Sequence, residues 1–111
     1  MTIEATSTAK AVILKVAGRM DAESHQQFEQ ACEPWIQQGV THLIVDLAAL
    51  DYISSAGLGA IARASKSLQK RNGAVLLCGV TGLVKEVLEI TRLISMFQVF
   101  ASVDDARASI G

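Results

Sequence analysis

The chain has 111 residues, enough for one domain over 1–111 with a single sizeable core. Half of the residues are hydrophobic and 19% are charged, with a net charge of −1 and interspersed signs. That balance excludes a disordered tail and argues against a nucleic-acid binder. No apolar run approaches the roughly 18 residues of a membrane span, and the N-terminus Met1-Thr2-Ile3-Glu4 lacks the pattern of a signal peptide. Cys32 and Cys78 sit in apolar segments and read as buried free thiols of a cytoplasmic protein. With His25 and His42 they are too scattered for a zinc pattern, so no metal and no cofactor is expected.

Residues 3–7 alternate and are expected to pair, as a hairpin edge, with the strand 11–17 (AVILKVA), which Gly18 closes. Ser24 followed by Gln27 predicts a capping box opening the first helix. Phe28, Ala31, Cys32, Trp35 and Ile36 line one face of that helix, Pro34 is expected to kink it, and Gly39 ends it. The strand 42–47 carries Leu43-Ile44-Val45, an unbroken apolar run that predicts burial on both faces. A loop at 48–53 leads to a second helix, 56–71, stopped by Asn72-Gly73. The segment 74–78 (AVLLC) reads as a third buried strand. Thr81 caps a helix with Leu83, Val84, Val87 and Leu88, a short strand follows at 97–100, and Ser102 with Asp105 opens a last helix. The order β-β-α-β-α-β-α-β-α implies an α/β domain with a mixed, mostly parallel sheet built from βα units.

Ser54-Ser55-Ala56-Gly57 stands where the central strand hands over to the second helix. The free N–H groups of a helix's first turn and the positive end of its dipole favour negative charge there, so a phosphate on a serine is held without unfolding the helix. Read from spacing alone, Ser55 is an ordinary N-cap. Gly57-Leu58-Gly59-Ala60-Ile61-Ala62 matches the dinucleotide pattern G-x-G-x-x-A in letters. It lies about nine residues beyond the strand, however, and Leu77 and Cys78 replace the acid expected about 20 residues on. Neither serine has a patterned histidine to act as base, which argues against a hydrolase. Asp21, Asp46 and Asp51 have no spacing that joins them as acid–base or metal ligands, and Asp46 reads as a structural loop residue.

Gly18-Arg19-Met20-Asp21, the stretch 43–53 and the signature 54–59, in this βα order, resemble the STAS domain (sulphate transporter and anti-sigma factor antagonist). Residues 88–97 and 102–106 resemble its C-terminal pattern. The likeness is greatest to free-standing bacterial anti-anti-sigma factors, which are not enzymes. It implies that Ser55 is the phosphorylatable serine and that Asp21 lies near it. It implies as partners an anti-sigma factor that is also an ATP-dependent serine kinase, released by phosphorylation, and a metal-dependent serine phosphatase, with no nucleic acid and no membrane insertion. The binding face is expected to be the loop 51–55 and the first turns of the second helix, with Asp21, Ser54, Ser55, Ala56, Gly57 and Leu58. Leu58 either packs inward or offers an apolar contact. Ser54 stands where many members carry aspartate, and Arg92 where the family often has glycine. The alternative within the same resemblance is an unphosphorylated structural subunit of a transport complex, for example for lipid, or of a signalling assembly.

Overall fold

The computed structural model describes residues 1–8 and 11–110. Its elements run β1 (Thr2–Ser7), β2 (Ala11–Met20), α1 (His25–Gln37), β3 (His42–Ile53), α2 (Ser55–Gln69), β4 (Ala74–Cys78), α3 (Gly82–Ile90), a short 3-10 helix (Leu93–Met96), β5 (Gln98–Phe100) and α4 (Val103–Ile110). The expected order holds, with the 3-10 turn added. The five strands lie in sequence order, β1-β2-β3-β4-β5. β1 is antiparallel to β2, and every later pair is parallel. A sheet that grows in one direction through crossovers of one hand puts its connecting helices on one face. α1, α2 and α3 accordingly pack Phe28, Leu58, Ile61, Leu68, Val84 and Leu88 against Leu14, Leu43, Val45 and Leu77. The other face is left to α4, whose Ala106 meets Ala11, Ile44, Leu76 and Cys78. Leu43, Ile44 and Val45 are fully buried, as a strand covered on both sides requires.

The two strands that carry the site are longer than their apolar runs suggest. β2 does not stop at Gly18 but passes through it, at φ +98°, to Met20. β3 runs on to Ile53, so residues 48–53 are strand and not loop. Pairing with β2 jumps from Lys15↔Asp46 to Ala17↔Ala49, and from Gly18↔Leu50 to Arg19↔Tyr52. At each jump β3 carries one residue more than β2, which is the geometry of a bulge. The first is fastened by Asp46, whose Oδ1 accepts the N–H of Ala48 at 3.0 Å. Asp46 is therefore a residue of the strand's interior.

At the helix ends the sequence expectations fare unevenly. Gly39, at φ +94°, closes α1, and the helix is continuous through Pro34. α2 ends in the turn at Asn72, at φ +61°, with the N–H of Gly73 donating to the Leu68 carbonyl at 2.9 Å. Ser102 caps α4 by accepting the Asp105 N–H at 3.1 Å. Thr81 occupies the N-cap position of α3 without a side-chain hydrogen bond. The capping box at Ser24 does not form: Gln27 donates instead to the Met1 carbonyl, and the Ser24 hydroxyl is already engaged by the Asp21 turn.

Candidate functional site

Met20 and Ile53 are register partners at the carboxyl ends of β2 and β3. The Ser54 N–H donates to the Met20 carbonyl at 2.9 Å, which extends the pairing by one residue. Asp21 and the Ser54-Ser55 pair therefore leave the sheet side by side, at the end where parallel α/β sheets place their sites.

Ser54, not Ser55, is the cap of α2. Its backbone is extended, its Oγ accepts the Gly57 N–H at 3.3 Å, and its carbonyl accepts from Leu58 at 2.9 Å. That leaves Ser55 as the first residue of the helix, exposed, with a hydroxyl that hydrogen-bonds to nothing among the described residues. It stands in the positive field of the helix start, where the first-turn N–H groups are unspent by the helix itself.

Gly57 and Leu58 lie behind this edge and are buried. A Cβ on Gly57 would come within 2.8 Å of the Met20 carbonyl and 2.9 Å of Ile53 Cγ1. Bare backbone lets α2 sit directly on the two strand ends. Leu58 is 3% exposed and packs inward, so it offers no surface contact. The serines stand one residue from the end of β3, and both glycines are inside the helix. The nine-residue separation used above against a dinucleotide loop is thus absent. What replaces it as the objection is burial: the Gly57 amide is spent on Ser54, and the glycine is a packing contact.

Asp21 organises the turn into α1. Its Oδ1 accepts from the N–H of Glu23 at 3.0 Å, the N–H of Ser24 at 3.2 Å and the Ser24 hydroxyl at 3.1 Å. The Glu23 N–H chiefly, then the Ser24 hydroxyl and amide and the Arg19 guanidinium, hold its carboxyl below the usual carboxylate range. It is an anion at neutral pH. Arg19, unlike Tyr52 of the expected loop 51–55, was not singled out from the sequence as a site residue. Arg19 lies 3.8 Å from Asp21 Oδ2 and over the Tyr52 ring, 4.4 Å from its centre. The signal that could have found Arg19 is its place two residues before Asp21, near the end of the strand that leads into it.

Cys32 and Cys78 are free and buried, and desolvation pushes their thiols up to about 12 and about 11. They are packing groups. No group of three or more His, Cys, Asp or Glu able to hold a metal ion occurs among the described residues. None of the described helices is long and apolar enough to cross a membrane.

The family model for the STAS domain matches residues 2–106. The chain is 33% identical over 98 residues to BtrV of Bordetella bronchiseptica, named as a candidate anti-sigma factor antagonist, covering 88% of this chain and 84% of that one. A candidate anti-sigma factor antagonist of Thermotoga maritima superimposes with a TM-score of 0.89 at 20% identity, over 96% of this chain and 92% of that one. The Bacillus cell-fate determinant SpoIIAA, in its phosphorylated form, superimposes with a TM-score of 0.77 at 19% identity, over 99% of this chain and all of that one. At these identities the two structures speak for the fold.

Proposed function

The chain belongs to the STAS domain family, and from that premise we propose that it is an anti-sigma factor antagonist switched by phosphorylation of Ser55. It is a binding protein of the cytoplasm and not an enzyme. Unphosphorylated, it holds an anti-sigma factor that is also a serine kinase, and so frees a sigma factor. Phosphorylation ends the association, and a metal-dependent phosphatase restores it.

One observation supports this reading above the others: the helix is capped by Ser54, which leaves the Ser55 hydroxyl exposed and without a structural task. A phosphate brings about 1.5 to 2 negative charges. On the free protein the helix start accommodates them. In a complex the same group is desolvated against a surface shaped for a neutral hydroxyl, beside the Asp21 carboxylate. Spoiling one central contact costs about 2 kcal/mol or more, roughly 30-fold in affinity.

The test is incubation with ATP and the serine kinases of the anti-sigma class from the same genome. One phosphate should be added, lost in Ser55→Ala and kept in Ser54→Ala. Fragment-ion spectra placing it on Ser54 refute the assignment. No incorporation and no binding with any such kinase refute the function.

A further inference from the structure

Arg19 belongs to the strand that leads into the site, and the proposed function gives it no role. Its side chain is 63% exposed, yet it is held in place. The guanidinium lies over the ring of Tyr52, its register partner on β3, so the sheet itself sets the contact. Asp21 Oδ2 is 3.8 Å from the Arg19 Nε, an ion pair too long for a hydrogen bond, while Oδ1 serves the turn at Glu23 and Ser24. Arg19 makes no side-chain hydrogen bond among the described residues, so the donors of its fork remain available. A guanidinium backed by an aromatic ring loses little freedom on binding, and its fork matches a carboxylate with two parallel hydrogen bonds.

We infer that Arg19 is a specificity-determining residue of this face, pairing through its fork with a carboxylate on the anti-sigma factor. The inference rests on the proposed function and extends it by naming the chemistry of the partner's surface. The competing acceptor is a phosphate on Ser55 of the same molecule. Alternation along β2 disfavours it: Met20 is the side chain that meets α2 at Gly57, so Arg19 leans off the opposite face of the sheet. An ordinary interface of about 800 Å² per partner is roughly 30 Å across. Arg19 directly precedes Met20, whose carbonyl accepts the Ser54 N–H, so a patch of that width centred on the edge where β2 and β3 end spans both Arg19 and the serines. Arg and Tyr are the residue types that most often carry such contacts.

The experiment measures binding of the unphosphorylated protein to the anti-sigma factor that passes the phosphorylation test. Arg19→Lys should weaken affinity about tenfold, because a point charge replaces a fork. Arg19→Glu should weaken it about 100-fold or more, with the loss shrinking at high salt. Tyr52→Leu should weaken it several-fold by releasing the fork. One Asp→Arg or Glu→Arg change on the partner should restore binding to Arg19→Glu. Circular dichroism checks the fold, and Arg19→Gln serves if the charge reversal unsettles it. Wild-type binding with Arg19→Glu within twofold overturns the inference alone. Arg19→Glu that binds normally but is no longer released by ATP assigns the fork to the Ser55 phosphate and also overturns it. Wild type that binds no anti-sigma factor removes the proposed function, and the inference with it.

Discussion

Ser54 and Ser55 are chemically identical neighbours given different work by a single residue step of backbone. Ser54→Ala should cost about 1 kcal/mol, the usual worth of an N-cap hydroxyl, and Ser55→Ala within about 0.5 kcal/mol of nothing. Urea denaturation of the two single variants checks this. The glycines of the signature divide in a similar way. Gly57→Ala drives a methyl group into the Met20 carbonyl and Ile53, and should cost about 1–3 kcal/mol. At Gly59 a Cβ meets only the far end of the long Arg63 side chain, at 3.2 Å. There alanine should be neutral or stabilising by up to about 1 kcal/mol, because glycine is the poorer helix former. Equal losses at both positions in a denaturant titration would contradict the packing described. Asp21 is a turn-maker as well as a charge. Asp21→Asn keeps a carbonyl acceptor for Glu23 and Ser24 and should unfold near the wild-type midpoint. Asp21→Ala should unfold earlier.

At the scale of elements, what could be read in the sequence depended on whether the local pattern was regular. The run 43–45, the segment 74–78 and the helix of Leu58, Ile61 and Leu68 have clean periodicity, and the structure follows them. The end of β3 does not. Its buried residues are Leu47, Leu50 and Ile53, three apart, because each bulge inserts a residue that the alternation does not count. A period of three in a strand reads as loop or helix. The site inherited that error: the segment before the serines is a rigid strand end, and the cap moves one residue back to Ser54. The true position of Ser54 was visible as a residue type favoured at caps, but two adjacent serines leave the choice to the backbone. Asp21 was named through resemblance, while its part in the turn depended on a hydrogen-bond network that no spacing encodes. The third helix offers a further prediction. Arg92 stands just past α3 at φ +62°, a conformation that favours glycine. Arg92→Gly should therefore raise stability by up to about 1 kcal/mol, read as a higher melting temperature with an unchanged circular dichroism spectrum.

Across the whole molecule, α1 and α2 are joined at the surface through Glu29. It bonds Arg63 Nε at 2.6 Å and His25 Nδ1 at 3.1 Å. The Arg63 hydrogen bond chiefly, with smaller help from His25, holds the Glu29 carboxyl below its ordinary value. Asp21 is shifted the same way. A carboxyl whose folded value is depressed stabilises the fold above its unfolded value, and the benefit is lost as pH falls through the folded one. Melting temperature should thus hold between pH 7 and 5 and decline below about 4, and Glu29→Gln should flatten part of that decline. On the proposed function, phosphorylation of Ser55 acts on the same molecule without entering its core. Phospho-Ser55 protein should keep its far-ultraviolet spectrum and unfold within a few degrees of wild type, while its affinity for the kinase partner falls. Melting of the domain on phosphorylation would rule out an interface mechanism.

The cap at Ser54 has a consequence for what each serine's loss does to a cell. A change at position 54 acts on the folded fraction, and so surfaces as altered protein abundance, the common fate of mildly destabilised chains. A change at position 55 leaves abundance alone. On the proposed function it yields a protein that no kinase can silence, which competes on equal terms with every wild-type copy beside it. Adjacent codons would thus give opposite genetics: a partial, recessive shortage at one and a dominant, permanent signal at the other.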